Sequence, residues 1–115
     1  MKKLLCVGLA AFALIGAAIA PTWAAGEKII LVSHAPDSDS WRNTIKNGLA
    51  LAGKQVGAEV EYRNPTTGDI GDMARIIEQA AASKPQGIIT TLADFDVLSG
   101  PIKNAVAKGI PVIII

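Results

Sequence analysis

Between residues 28 and 115 the chain alternates between short, uninterrupted apolar runs and longer stretches in which apolar residues recur every third or fourth position. No other feature restricts its fold as much. KIILVS (Lys28–Ser33), GIITTL (Gly87–Leu92) and PVIII (Pro111–Ile115) are apolar, β-branched runs, the pattern of strands buried in a parallel sheet. AEVEY (Ala58–Tyr62) instead alternates small or apolar with charged residues, which predicts an edge strand with one less buried face. Asn64 and Pro65 stop it.

The intervening stretches read as helices. Trp41, Ile45, Leu49, Ala52 and Val56 draw one apolar stripe on a helix of about four turns, ended by Gly57. Asp69 is placed to cap a second helix, with Asp72 in its first turn, where the helix dipole favours negative charge. Ile70, Met73, Ala74, Ile77, Ala80 and Ala81 form its stripe, and Lys84 with Pro85 mark its end. A third helix is predicted from about Val97 to Lys108 on Leu98, Ile102, Ala105 and Val106, closed by Gly109. Pro101 should lie in or near its first turn, because deeper inside it removes a hydrogen bond and clashes with the preceding turn.

The order is strand, helix, strand, helix, strand, helix, strand. Its connections are short, so each helix must cross over to a parallel neighbour, and right-handed crossovers make the whole a doubly wound α/β parallel sheet. A chain of 115 residues holds at most one such domain, and it contains neither an internal repeat nor a low-complexity linker. Val112 to Ile115 are consecutive apolar residues at the point where a ligand-site loop should begin, which predicts a lobe truncated after its fourth strand. Such a strand with nothing following would leave an open apolar edge.

Residues 1–24 read as a secretory leader: Lys2 and Lys3 precede seventeen residues, Leu4 to Ala20, that are apolar and rich in Ala and Gly. That run is short and weak for spanning about 30 Å of hydrocarbon. Cleavage is expected after Ala24, with Thr22 and Ala24 at the two small-residue positions before the cut. The mature domain then starts at Ala25. The sole cysteine, Cys6, would leave with the leader, so the mature chain would offer no disulfide, thiol chemistry or cysteine metal site. The formal charge of +1 becomes about −1 without Lys2 and Lys3, which implies neither nucleic acid nor an anionic membrane as partner.

Motifs for catalysis are missing. There is no G-x-G-x-x-G after the first strand, no phosphate loop and no G-x-S-x-G elbow, and with one histidine there is no basis for a metal centre. Ser33 and His34 are neighbours on a strand and would point to opposite faces. A binding role without catalytic residues, metal or cofactor is therefore expected. In open parallel sheets ligands bind beyond the carboxyl ends of the strands, where the strand order reverses. Two loops qualify, 34–40 and 93–96. They carry His34, Asp37, Asp39, Asp94 and Asp96, with Trp41 at the next helix start. Carboxylates accept from vicinal hydroxyls, and an aromatic ring lies against the C–H face of a sugar ring. The same aspartates also suit helix caps and turns, Trp41 also suits the core, and a lone histidine also suits a structural hydrogen bond.

KIILVSHAPDSDSW, KNGLALAGKQVGAEVEY, DMARIIEQAAASKPQGIITT and IKNAVAKGIPVIII together resemble the first lobe of the type I periplasmic binding proteins for sugars, the ribose-binding-like group. The resemblance implies a longer, two-lobed, monomeric protein that closes on a sugar or sugar-like polyol in the periplasm and presents it to an ABC transporter permease in the inner membrane. It maps first-lobe ligand contacts onto Ser33, His34, Asp39, Trp41 and Asp94. Many relatives carry two adjacent aromatics at the start of the first helix; here Arg42 follows Trp41. The contact such proteins often carry after the fourth strand would fall beyond Ile115. The effector domain of a LacI-like regulator resembles the same layer but would begin with a basic helix-turn-helix rather than a leader, and the sensor of a membrane receptor would need the leader uncleaved.

Overall fold

A computed structural model describes residues 26–115. The expected leader and its expected cleavage site, with Cys6, lie outside the described residues. The elements run β1 (Lys28–Val32), α1 (Ser40–Val56), β2 (Glu59–Arg63), α2 (Ile70–Ala82), β3 (Gly87–Thr90), α3 (Phe95–Ala107) and β4 (Val112–Ile114). All strand pairs are parallel and the sheet order is β2-β1-β3-β4, so β2 is an edge strand, as its charged alternation predicts.

The chain steps one way from β1 to β2 and the other way from β2 to β3 and on to β4. Right-handed crossovers then put α1 on one face of the sheet and α2 with α3 on the other. The register sorts the strand residues accordingly. Ile30 pairs with Ile88, and Val32 with Thr90, on the α2/α3 face; Ile29 with Val60, and Leu31 with Ile89 and Tyr62, lie on the α1 face. Met73, Ile77 and Ala80 of α2 and Leu98 and Ala105 of α3 close over Ile30, Val32 and Ile88, all of them buried.

Local chemistry sets the helix ends. Asp69 accepts from the Asp72 N–H at 2.7 Å, and Asp72 pairs with Arg75 across the first turn of α2. Gly57, at φ 73°, closes α1 in the left-handed conformation.

Three expectations need correction. α3 starts at Phe95 rather than Val97, because Asp94 caps it through the Val97 N–H at 3.0 Å, and Pro101 therefore sits in the second turn. Val97, whose carbonyl loses its helical donor to that proline, is exposed, so water can replace the missing bond. The α1 stripe is less buried than its periodicity implies: Gly53 is the one buried residue of α1, while Trp41, Ala52 and Val56 are exposed. β4 is not buried on both faces, since it forms the second edge of the sheet with Ile113 60% exposed.

No helix among the described residues is long and apolar enough to cross a membrane.

Candidate functional site

β1 and β3 are neighbours in the sheet, so the segments that leave their carboxyl ends share one rim. Between them lies an open groove of about 510 Å³, lined by His34, Trp41, Ile45, Thr91, Leu92, Ala93 and Ile115. A larger cavity, about 640 Å³, opens at the opposite pole beside Lys84, Pro85, Lys108 and Ile110. It lies at the amino ends of β3 and β4, away from the rim where ligands of such sheets bind.

His34 follows β1 and is exposed, and two contacts tie it to β3. Its backbone N–H donates to Thr91 Oγ1 at 3.3 Å, and its Nδ1 lies 2.9 Å from the same oxygen. Thr91 is itself held by its N–H, which donates to the Val32 carbonyl at 3.2 Å. Trp41 stands in the first turn of α1, 56% exposed, where an indole can offer its face to a ligand. Its backbone N–H donates to Asp39 Oδ1 at 2.9 Å, so Asp39 is the N-cap that fixes where the tryptophan leaves the loop.

Of the five residues singled out by resemblance, the groove brings His34 and Trp41 together. Asp39 and Asp94 are not among its lining residues; they cap α1 and α3. Ser33 is buried, and its Oγ accepts from the Ala35 N–H at 3.2 Å, so its hydroxyl shapes the turn out of β1. Sequence reasoning did not single out Thr91, Leu92 and Ala93, which line the groove, although Ala93 falls within the loop 93–96 that it named. The Thr90–Thr91 pair at a strand end was the available signal.

Arg42 turns away from the groove. Its Nη2 lies 3.1 Å from Asp37 Oδ1, its Nε donates to Asn64 Oδ1 at 3.2 Å, and its guanidinium lies over the Tyr62 ring, 5.7 Å from the centroid. Asn64 Nδ2 donates to the same Asp37 oxygen at 2.9 Å, and the Asp37 N–H donates to the Thr66 carbonyl. The loop after β1 is thus bound to the loop after β2, and Asp37 is engaged in that binding. Gly68 completes the joint: at φ +83° its missing Cβ would stand 3.2 Å from the His34 carbonyl oxygen. Among the described residues there is no cluster of three histidine, cysteine or acidic side chains placed to hold a metal ion.

The family model described as periplasmic binding protein domain matches residues 29–115. No curated protein matches the chain. Solved structures do. A carbohydrate transporter protein from Acidothermus cellulolyticus 11B, in complex with myo-inositol, is 30% identical with a TM-score of 0.73, over 77% of this chain and 30% of its own. GanP, a glucose-galactose binding protein from Geobacillus stearothermophilus, is 28% identical with a TM-score of 0.73, over 77% and 31%. AraP, an arabinose binding protein from the same organism, is 32% identical with a TM-score of 0.69, over 77% and 30%. The chain thus spans about a third of the length of each. Two of these relatives are named as sugar-binding proteins, and the third is a carbohydrate transporter protein in complex with a cyclic polyol.

Proposed function

From the premise that this chain belongs to the periplasmic binding protein domain family, we propose that it forms the first lobe of a solute-binding protein that captures a sugar or sugar-like polyol outside the cytosol. The protein delivers that ligand to an ABC transporter permease as a monomer and performs no chemistry on it. The observation that carries this reading is the groove in which Trp41 and His34 meet at the shared rim of β1 and β3. An indole face takes the C–H side of a sugar ring, and an imidazole and the carboxylates of Asp39 and Asp94, at the starts of α1 and α3, suit hydroxyl groups. Ser33 shapes the turn that presents them. Residues 1–24 serve as a cleaved leader, so the mature protein begins near Ala25.

One lobe provides half of a clamp. Closure on a second lobe supplies the differential contacts that drive an open and closed equilibrium toward the bound form. The 115-residue chain alone should therefore bind sugars weakly or not at all by calorimetry. Joined to the second lobe of the myo-inositol-bound relative, it should bind at least one of myo-inositol, glucose, galactose and arabinose saturably. Trp41→Ala should then weaken binding about tenfold, the scale of one lost stacking contact. Tight binding by the chain alone would overturn the two-lobe mechanism, and a joined protein that ignores every one of these ligands would overturn the sugar reading.

A further inference from the structure

The Thr91 hydroxyl lines the groove at the rim, and both of its close polar contacts are to His34. A hydroxyl has one proton to give and two lone pairs. The His34 backbone N–H, 3.3 Å away, takes one lone pair of Thr91 Oγ1. The other close polar atom is His34 Nδ1 at 2.9 Å, and Oγ1 has no further hydrogen-bond partner among the described residues. Thr91 is 9% exposed, so water is a poor substitute, and a hydroxyl proton left without an acceptor there would carry a desolvation cost. The arrangement that satisfies both groups has Oγ1–H donating to a bare Nδ1, which puts the imidazole proton on Nε2.

We propose that Thr91 is a positioning residue that locks neutral His34 in its Nε2–H tautomer and holds the ring toward the groove, so that the rim presents a hydrogen-bond donor at that point. The ligand half of this inference rests on the sugar-binding reading: a donor there selects a ligand oxygen bearing a lone pair, a hydroxyl or a ring oxygen, and rejects an ammonium group. The tautomer half stands on the Thr91 contacts alone. The two contacts to one oxygen also make the lock double, because Thr91 grips both the backbone and the ring of the same residue. Ring rotation would then break the Nδ1 contact while leaving the backbone contact intact.

His34 is the sole histidine of the chain, so its two ring nitrogens can be observed without interference in a long-range proton–nitrogen spectrum of the full chain. In alkaline buffer, Nδ1 should resonate as the unprotonated nitrogen and Nε2 as the protonated one. Their separation should be that of a single tautomer. Thr91→Val keeps shape and strand preference but removes the hydroxyl, and the separation should shrink toward that of a solvent-averaged imidazole. Thr91→Ser restores the hydroxyl and should restore the wild-type separation. A wild-type proton on Nδ1, a separation already averaged in the wild type, or a Thr91→Val spectrum indistinguishable from wild type would each overturn the lock. None of these readings needs a ligand, so failure of the sugar titrations above leaves the tautomer result standing, and the reverse holds.

Discussion

The two faces of the sheet are finished to different degrees. Toward α2 and α3, Ile30, Val32, Ile88 and Thr90 are sealed beneath Met73, Ile77, Ala80, Leu98 and Ala105. Toward α1, the helix leans on β2, and Gly53, its one buried residue, packs against Val60. An apolar trough of about 340 Å³ remains beside it, running along Ile45, Leu49 and Ala52 over Leu31 and Ile89 to Ile115. The first face stores the cohesion of the domain. The second face continues into the groove at the rim, with which it shares Ile45 and Ile115. A ligand site needs accessible side chains and a stable frame, and the two faces divide those tasks.

Truncation on the two faces gives the sharpest way to break this contrast. Ile77→Ala in the sealed layer should cost about 2–5 kcal/mol of unfolding free energy. Leu49→Ala, on the half-open side, should cost less than about 1.5 kcal/mol, since little packed volume is lost there. Urea denaturation of both variants checks this, and equal losses would mean that α1 is packed as firmly as α2.

Gly53→Ala tests a tight point on the open face. A glycine-to-alanine change inside a helix ordinarily gains about 0.5–1 kcal/mol. At Gly53 the new Cβ would lie 2.7 Å from Val60 Cγ2 and 3.0 Å from the Ala58 carbonyl oxygen. The substitution should therefore destabilise by about 1–3 kcal/mol, the usual cost of overpacking. Pairing it with Val60→Ala, which removes the nearest obstacle, should recover part of the loss in the same denaturation measurement.

The smallest effect is expected at β2, where the sealed face gives way to charge. The Arg63 guanidinium, donating from Nε at 2.7 Å, and the Lys28 ammonium, 2.8 Å away, lower the Glu61 carboxyl from its ordinary 4.5 to about 2. A carboxylate with a depressed value contributes stability above its unfolded value and loses it as pH falls. The contribution should thus be present above about pH 4.5 and disappear between there and about pH 2. Because the Glu61 side chain is more than a third exposed, screening keeps the effect small and salt-sensitive. Glu61→Gln should make the acid limb of a pH–stability curve slightly flatter. An acid loss comparable to that of Ile77→Ala would shift the weight of stability from the core to this ion cluster.

Features decided by a few neighbouring residues were legible in the sequence. Asp69 and Asp72 start α2 and Gly57 ends α1 because caps depend on local backbone groups. The charged alternation of β2 likewise announced an edge. Pro101 misled, since its usual place in a first turn outweighed the Asp94 cap that begins α3 earlier. The burial of α1 and β4 was overread for a different reason. Periodicity records which side chains share a face, and says nothing of how completely another element covers that face.

The site divides in the same way. His34 and Trp41 could be singled out because they stand at strand and helix ends, where the rule for open sheets directs attention. Thr91 also stands at a strand end, but its hold on His34 was not legible there, because that depends on the loop after β1 and the end of β3 lying side by side. Residue order and side-chain chemistry thus determined the α/β alternation, the helix caps and a short list of rim residues. Tertiary structure alone decided that β1 and β3 are neighbours, that one helix leaves its face half open, and that one threonine holds the histidine. Strand adjacency and packing are pairings between distant residues, and no window along the chain contains both partners.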